Sequence, residues 1–148
     1  MKPFRLLPAV VLSLLCALAS AQSAPAAITN PLAVSRVFRY EEMPVRTFAS
    51  GVEGRQVFSG TLATGESVAA HESTQPAGTV PSPLHPIQHS EFIVLLEGTV
   101  AFEHDGISEL AGPGSVVYVA PGTVHHIKNT GSTPARYVVL QVGGDTKK

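Results

Sequence analysis

From about residue 57 onward the chain is a series of short apolar runs cut by turn-forming residues, and this spacing points to β-structure. Phe92-Ile93-Val94-Leu95-Leu96 runs into Glu97-Gly98. Thr99 to Glu103 runs into Asp105-Gly106, a pair suited to the positive φ angles of a tight hairpin. Ile107 to Leu110 precedes Gly112-Pro113-Gly114. Val116 to Val119 reads as a strand buried on both faces, ahead of Pro121-Gly122. Val124 to Lys128 and Ala135 to Val142 make two further strands, with Asn129-Thr130-Gly131 between them. Strands that recur about every 8 to 12 residues with turn chemistry between them predict an all-β sandwich or barrel.

The first half is less regular. Residues 22–33 read as a flexible leader. Val34 to Tyr40, Val57 to Leu62 and Val68 to Ala70 are expected strands, the last two joined through Thr64-Gly65-Glu66. Ser73 to Pro83 is expected to be a loop, because each proline removes a backbone donor and restricts the residue before it. No repeat or long amphipathic helical segment interrupts the β pattern.

Composition narrows the function. The 148 residues carry 10 Lys+Arg against 11 Asp+Glu, without the basic excess that displaces counterions from nucleic acid. With 44% hydrophobic and 14% charged residues, the chain can bury a core. The length suits one domain.

Lys2 and Arg5 precede an apolar run from Leu6 to Leu18, and Ala19-Ser20-Ala21 follows. This order predicts a secretory signal peptide over 1–21, and the run is too short for a membrane span of about 20 residues. Cleavage after Ala21 predicts a periplasmic or secreted protein, with no membrane attachment afterwards. Removing Lys2 and Arg5 leaves 8 basic residues against 11 acidic, net −3. Cys16, the single cysteine, leaves with the signal. The mature chain then has no disulfide and no thiolate, so any metal must be held by nitrogen and oxygen. All six histidines, at 71, 85, 89, 104, 125 and 126, lie beyond the cleavage point.

Two stretches concentrate these donors: His85-Pro-Ile-Gln-His89-Ser-Glu91 running to Gly98, and Gly114 through Gly122 to His125 and Asn129. Here the chain resembles the cupin superfamily. Its first motif, G-x5-H-x-H-x3-4-E-x6-G, is met by His85, Glu91 and Gly98. Its second, G-x5-P-x-G-x2-H-x3-N, is met by Gly114, Gly122, His125 and Asn129, with Ala120 in the proline position and Pro121 one place late. The resemblance covers roughly residues 65–142. It implies a double-stranded β-helix (jelly-roll) barrel over 34–142. It also implies one divalent transition metal (Mn, Fe, Ni, Cu or Zn) at His85, His89, Glu91 and His125, a small-molecule ligand, and a homodimer as one arrangement. The alternative is a metal-free module that binds a carbohydrate or other small ligand.

Ile87 stands where the motif has its second histidine, and His89 comes two residues later. On a straight strand His85 and His89 lie about 13 Å apart, too far for one ion, while His89 and Glu91 share a face about 6.6 Å apart. Convergence of all four groups needs a chain reversal between His85 and Glu91, which the resemblance places there. Parity puts His125, Ile127 and Asn129 on one face and His126 and Lys128 on the other, so His125 is expected inside. His104, beside the Asp105-Gly106 turn, is expected to be exposed. His71 is a candidate only for the cavity mouth, and Phe102 and Tyr118 read as core or subunit-contact residues.

Overall fold

The computed structural model describes residues 30–144. The expected signal peptide, and residues 22–29 of the expected leader, lie outside the described residues. Nine strands follow in order: β1 (Val45–Thr47), β2 (Glu53–Thr61), β3 (Ser67–Gln75), β4 (Ser90–Glu97), β5 (Val100–His104), β6 (Ile107–Ala111), β7 (Val116–Val119), β8 (His125–Asn129) and β9 (Ala135–Val142). They form a six-stranded sheet ordered β1-β2-β3-β9-β4-β7 and a three-stranded sheet ordered β6-β5-β8. Every pairing within the two sheets is antiparallel. The crossovers that set β9 between β3 and β4 make this a jelly roll.

The turns form where the residues demand. Asp105 and Gly106 both take positive φ, 47° and 79°, and link β5 to β6. Gly98 is required twice over. Its φ is 76°, and a Cβ there would lie 2.6 Å from the Pro134 carbonyl oxygen and 2.7 Å from Ala135 Cα. Only glycine lets the β4–β5 turn pass this close to the start of β9.

The core lies between the sheets and follows from period-two alternation. Ile93 and Leu95 of β4 point inward at 2% and 1% exposure and meet Val100 and Phe102 of β5, Val119 of β7, and Tyr137 and Val139 of β9. Ile87 belongs to the same cluster, so the residue that replaces the motif histidine is an apolar plug.

Three expectations need correction. Val34 to Tyr40 is not a strand: it runs irregularly into a 3-10 turn at Tyr40–Glu42. It makes side-chain contacts to β2 instead of ladder bonds, with Phe38 against Phe58 at 5.2 Å and Arg55 over the Tyr40 ring at 4.5 Å. Val116 to Val119 is not buried on both faces. β7 ends the larger sheet and its outer face is uncovered, so Val116 and Tyr118 are exposed while Val119 is fully buried. Ser73 and Thr74 are strand, because β3 pairs with β9 through Gln75.

Candidate metal and ligand site

A cavity of about 770 Å³ opens between the sheets. Its lining includes all four expected site residues together with His71 and Gln141. β4 presents Glu91 one alternation from Ile93, so the carboxylate sits at the inner end of the apolar stripe. His89 precedes the strand at a bend, and β8 supplies His125.

The reversal between His85 and Glu91 is present in a specific form. His85 forms an isolated antiparallel bridge with His125, each backbone N–H donating to the other's carbonyl at 3.2 and 3.1 Å. The chain then bends at Gln88–His89 before β4 starts at Ser90. His85 thereby stands beside His125, with ring centroids 5.1 Å apart.

The two histidines share a local device. His85 Nδ1 lies 3.0 Å from the Pro83 carbonyl oxygen, and His125 Nδ1 lies 3.1 Å from that of Thr123. A carbonyl oxygen only accepts, so Nδ1 carries the hydrogen in both rings. In each neutral ring Nε2 is then the lone-pair nitrogen. An imidazole held by the hydrogen bond of one nitrogen while the other is left to donate electrons is the arrangement of a metal ligand.

His89 does something different. Its Nε2 donates to Glu91 Oε1 at 2.9 Å, and Gln141 Nε2 donates to the same oxygen at 2.9 Å. Glu91 Oε2 faces His125 Nε2 at 3.7 Å, beyond hydrogen-bond length. With the His125 hydrogen on Nδ1, two electron-pair donors confront each other there, and a cation between them, proton or metal, makes the contact favourable.

The charges agree with that geometry. Burial opposes ionisation of Glu91, but contacts with His125, Gln141 and His89 outweigh it and hold its pKa at about 2. Burial likewise opposes protonation of His125, yet the Glu91 carboxylate and the Thr123 carbonyl raise its pKa above the ordinary value. Burial lowers the pKa of His71, against a weaker upward pull from Glu91.

Donor types therefore suit a borderline transition metal: imidazole nitrogen and one ionised carboxylate. Among the described residues, no three His, Cys, Asp or Glu side chains are grouped so as to hold an ion as they stand. Glu91 Oε1 is taken up by His89 and Gln141, and His85 lies at the exposed rim. Glu91, His125 and His85 are the residues that would hold the ion, with His89 and Gln141 orienting the carboxylate.

Residues 70–141 match the family model described as the cupin domain. The chain carries a cupin domain. Solved structures agree on its fold. An RmlC-like cupin from Shewanella frigidimarina is 17% identical, with a TM-score of 0.61 over 75% of this chain and 94% of that one. A predicted oxalate decarboxylase from Thermotoga maritima is 17% identical, with a TM-score of 0.59 over 72% and 98%. The polyketide cyclase RemF from Streptomyces resistomycificus is 18% identical, with a TM-score of 0.58 over 74% and 79%. Among curated proteins no match was found.

Three features of this cupin differ from the expectations. His71 lines the cavity rather than only its mouth: it lies on the inward face of β3 with Ser73 and Gln75. Gln141 shares the inward face of β9 with Tyr137 and Val139, and period two could have found it there. His104 is not freely exposed, because its ring stacks on Phe102 at 4.4 Å and Nε2 bonds Glu109 at 2.9 Å. Parity holds for β8: His125, Ile127 and Asn129 are buried and Lys128 is exposed, while His126 is tied to the Ser82 carbonyl and to Glu103.

Asn129 is a scaffold residue. Its backbone N–H donates to Gln75 Oε1, its side-chain amide donates to the Gln75 and Thr133 carbonyls, and its Oδ1 accepts from Gly131 N–H. It locks the β8–β9 turn to β3.

Proposed function

We propose that this chain is an exported cupin that binds one divalent transition metal at Glu91, His125 and His85 and acts there on a small polar molecule. The observation that carries this reading is the shared anchoring of His85 and His125. Each gives its Nδ1 hydrogen to a backbone carbonyl two residues upstream, leaving an electron-donating Nε2 in the cavity of an ionised carboxylate. A bound ion would supply Lewis acidity toward an oxygen group of the substrate. Glu91 and the imidazoles would orient it, His89 and Gln141 would hold the carboxylate, and the aliphatic walls would limit water. Oxygenase, isomerase and hydrolase or lyase chemistry are all compatible with such a centre. The similar solved structures carry different activity names, which supports a shared kind of site and not one shared reaction.

The test is elemental analysis of protein purified under mild conditions. Near-stoichiometric Mn, Fe, Ni, Cu or Zn, lost in His125→Ala, is the expected result. Absence of metal, with thermal stability unchanged when each ion is added, would overturn the reading, since an ion bound only by the folded state raises stability.

One observation favours a metal-free binding module instead: Glu91 Oε1 already accepts from both His89 and Gln141. In that case the cavity would hold its ligand through hydrogen bonds alone.

Export rests on the charged, apolar and small-residue order of residues 1–21, and a secreted product beginning at Gln22 is expected by N-terminal sequencing. A homodimer is supported by the apolar outer face of β4 and β7, where Phe92, Val94, Leu96 and Tyr118 are partly exposed. Sedimentation of the wild type against Phe92→Glu tests it.

A further inference from the structure

The lining of the cavity restricts what charge its occupant carries. Among the described residues, no lysine or arginine lines it, and Glu91 is the single carboxylate that does. Arg46 lies over the ring of Phe48, its guanidinium 4.7 Å from the ring centroid, and does not join the lining. Arg136 is engaged elsewhere by Glu97 and Glu72, and Arg55 by Glu53. A divalent ion beside one carboxylate leaves a single positive charge, which one anionic oxygen balances.

One side of the remaining wall is apolar. Ile87, Ile93, Ile127 and Val139 are all buried core residues that also face the cavity. A second charge among them would have no partner and would pay its full desolvation cost. The polar edge comes from β3 and β9. Gln75 is committed to the scaffold: its amide donates to the Tyr137 hydroxyl oxygen and the Ile127 carbonyl, and its Oε1 accepts from Asn129. The Tyr137 hydroxyl is thereby held by Gln75, with Ser73 beside it. His71, Ser73 and the Gln141 amide, whose Nε2 also holds Glu91, are then the uncharged polar groups that line this edge.

We infer that the occupant is a small polar molecule with one anionic or ionisable oxygen group, an otherwise uncharged body with one apolar side, and no second charged group. Phosphate esters and dicarboxylates are thereby disfavoured. This rests on the metal-centred reading above, and the test separates the two.

The protein is loaded with Co(II), whose visible absorption reports its ligands, and titrated with benzoate, phthalate and benzylamine. Benzoate is expected to perturb the spectrum at least about tenfold more tightly than phthalate, and benzylamine not to bind. The Ser50→Lys variant places a cation on an exposed loop residue of the lining. It is expected to narrow the benzoate–phthalate gap by about tenfold, as an added opposite charge should. Failure to take up Co(II) overturns the metal-centred reading and this inference with it. Uptake of Co(II) with phthalate bound as tightly as benzoate, or with no probe perturbing the spectrum, overturns this inference alone.

Discussion

His85 and His125 stand directly opposite each other, exchanging both backbone hydrogen bonds at 3.2 and 3.1 Å with their rings 5.1 Å apart. In a hydrogen-bonded antiparallel pair, opposite residues send their side chains to the same face. This bridge closes the cavity rim and brings the two motif histidines together although 40 positions of sequence separate them.

The residues around Glu91 should divide by role. His125→Ala removes a donor and is expected to abolish tight metal binding. His89→Ala removes a group that orients the carboxylate and should weaken binding by about 10–100-fold without abolishing it. Titration against a competing chelator distinguishes the two, and equal losses would remove the distinction drawn between these histidines.

Stability of the metal-free protein should peak in a window of pH. The Glu91 pKa is lowered from 4.5 to about 2, so its contribution is complete above 4.5 and is lost as pH falls toward 2. The His125 pKa is raised from 6.5, so its contribution is complete below 6.5 and is lost as pH rises through the raised value. Denaturant midpoints measured across pH with a chelator present should therefore be highest between these limits. Glu91→Gln should flatten the acid side.

Gly98→Ala should destabilise the fold by about 2 kcal/mol or more. The added Cβ meets backbone atoms that cannot rotate away, at a positive φ that alanine resists. Gly106→Ala, which has open space around it, should cost only the φ strain of about 1 kcal/mol. Equal losses in chemical denaturation would show that the contact with Pro134 and Ala135 is unimportant.

Arg136→Met should cost more than an ordinary surface change. Arg136 bridges exposed Glu97 at 2.5 Å and buried Glu72 at 3.7 Å, and Glu72 Oε1 has no hydrogen-bond partner. Removing the cation leaves a buried carboxylate alone, a loss of about 2–4 kcal/mol. The double variant Glu72→Gln/Arg136→Met should recover part of it, as thermal melts would show.

Much of the β-framework was legible because its signals are local. Asp105-Gly106, Pro121-Gly122 and Gly112-Pro113-Gly114 mark turns by their backbone chemistry, and the apolar run Phe92–Leu96 marks a strand, although a run apolar on both faces does not say that Ile93 and Leu95 are the pair that faces the core. The absence of a strand at Val34–Tyr40 has an equally plain cause. Its β-branched and aromatic residues suit a strand, but a strand also needs a ladder partner, and local sequence does not report one. Val116–Val119 departs from expectation for a related reason, since an apolar run looks identical in a central strand and at an edge left uncovered.

The sequence by itself determined which donors exist, that Cys16 is the single thiol among them, and that His125 shares a face with Ile127 and Asn129 as Glu91 does with His89, because period two is a property of the strand alone. Only the tertiary structure decided which groups meet. The bend before β4 turned His89 onto Glu91, the bridge set His85 against His125, and the β3–β9 pairing brought His71 and Gln141 into the same cavity. Those contacts depend on register between distant segments, and register is settled by packing both sheets around one core.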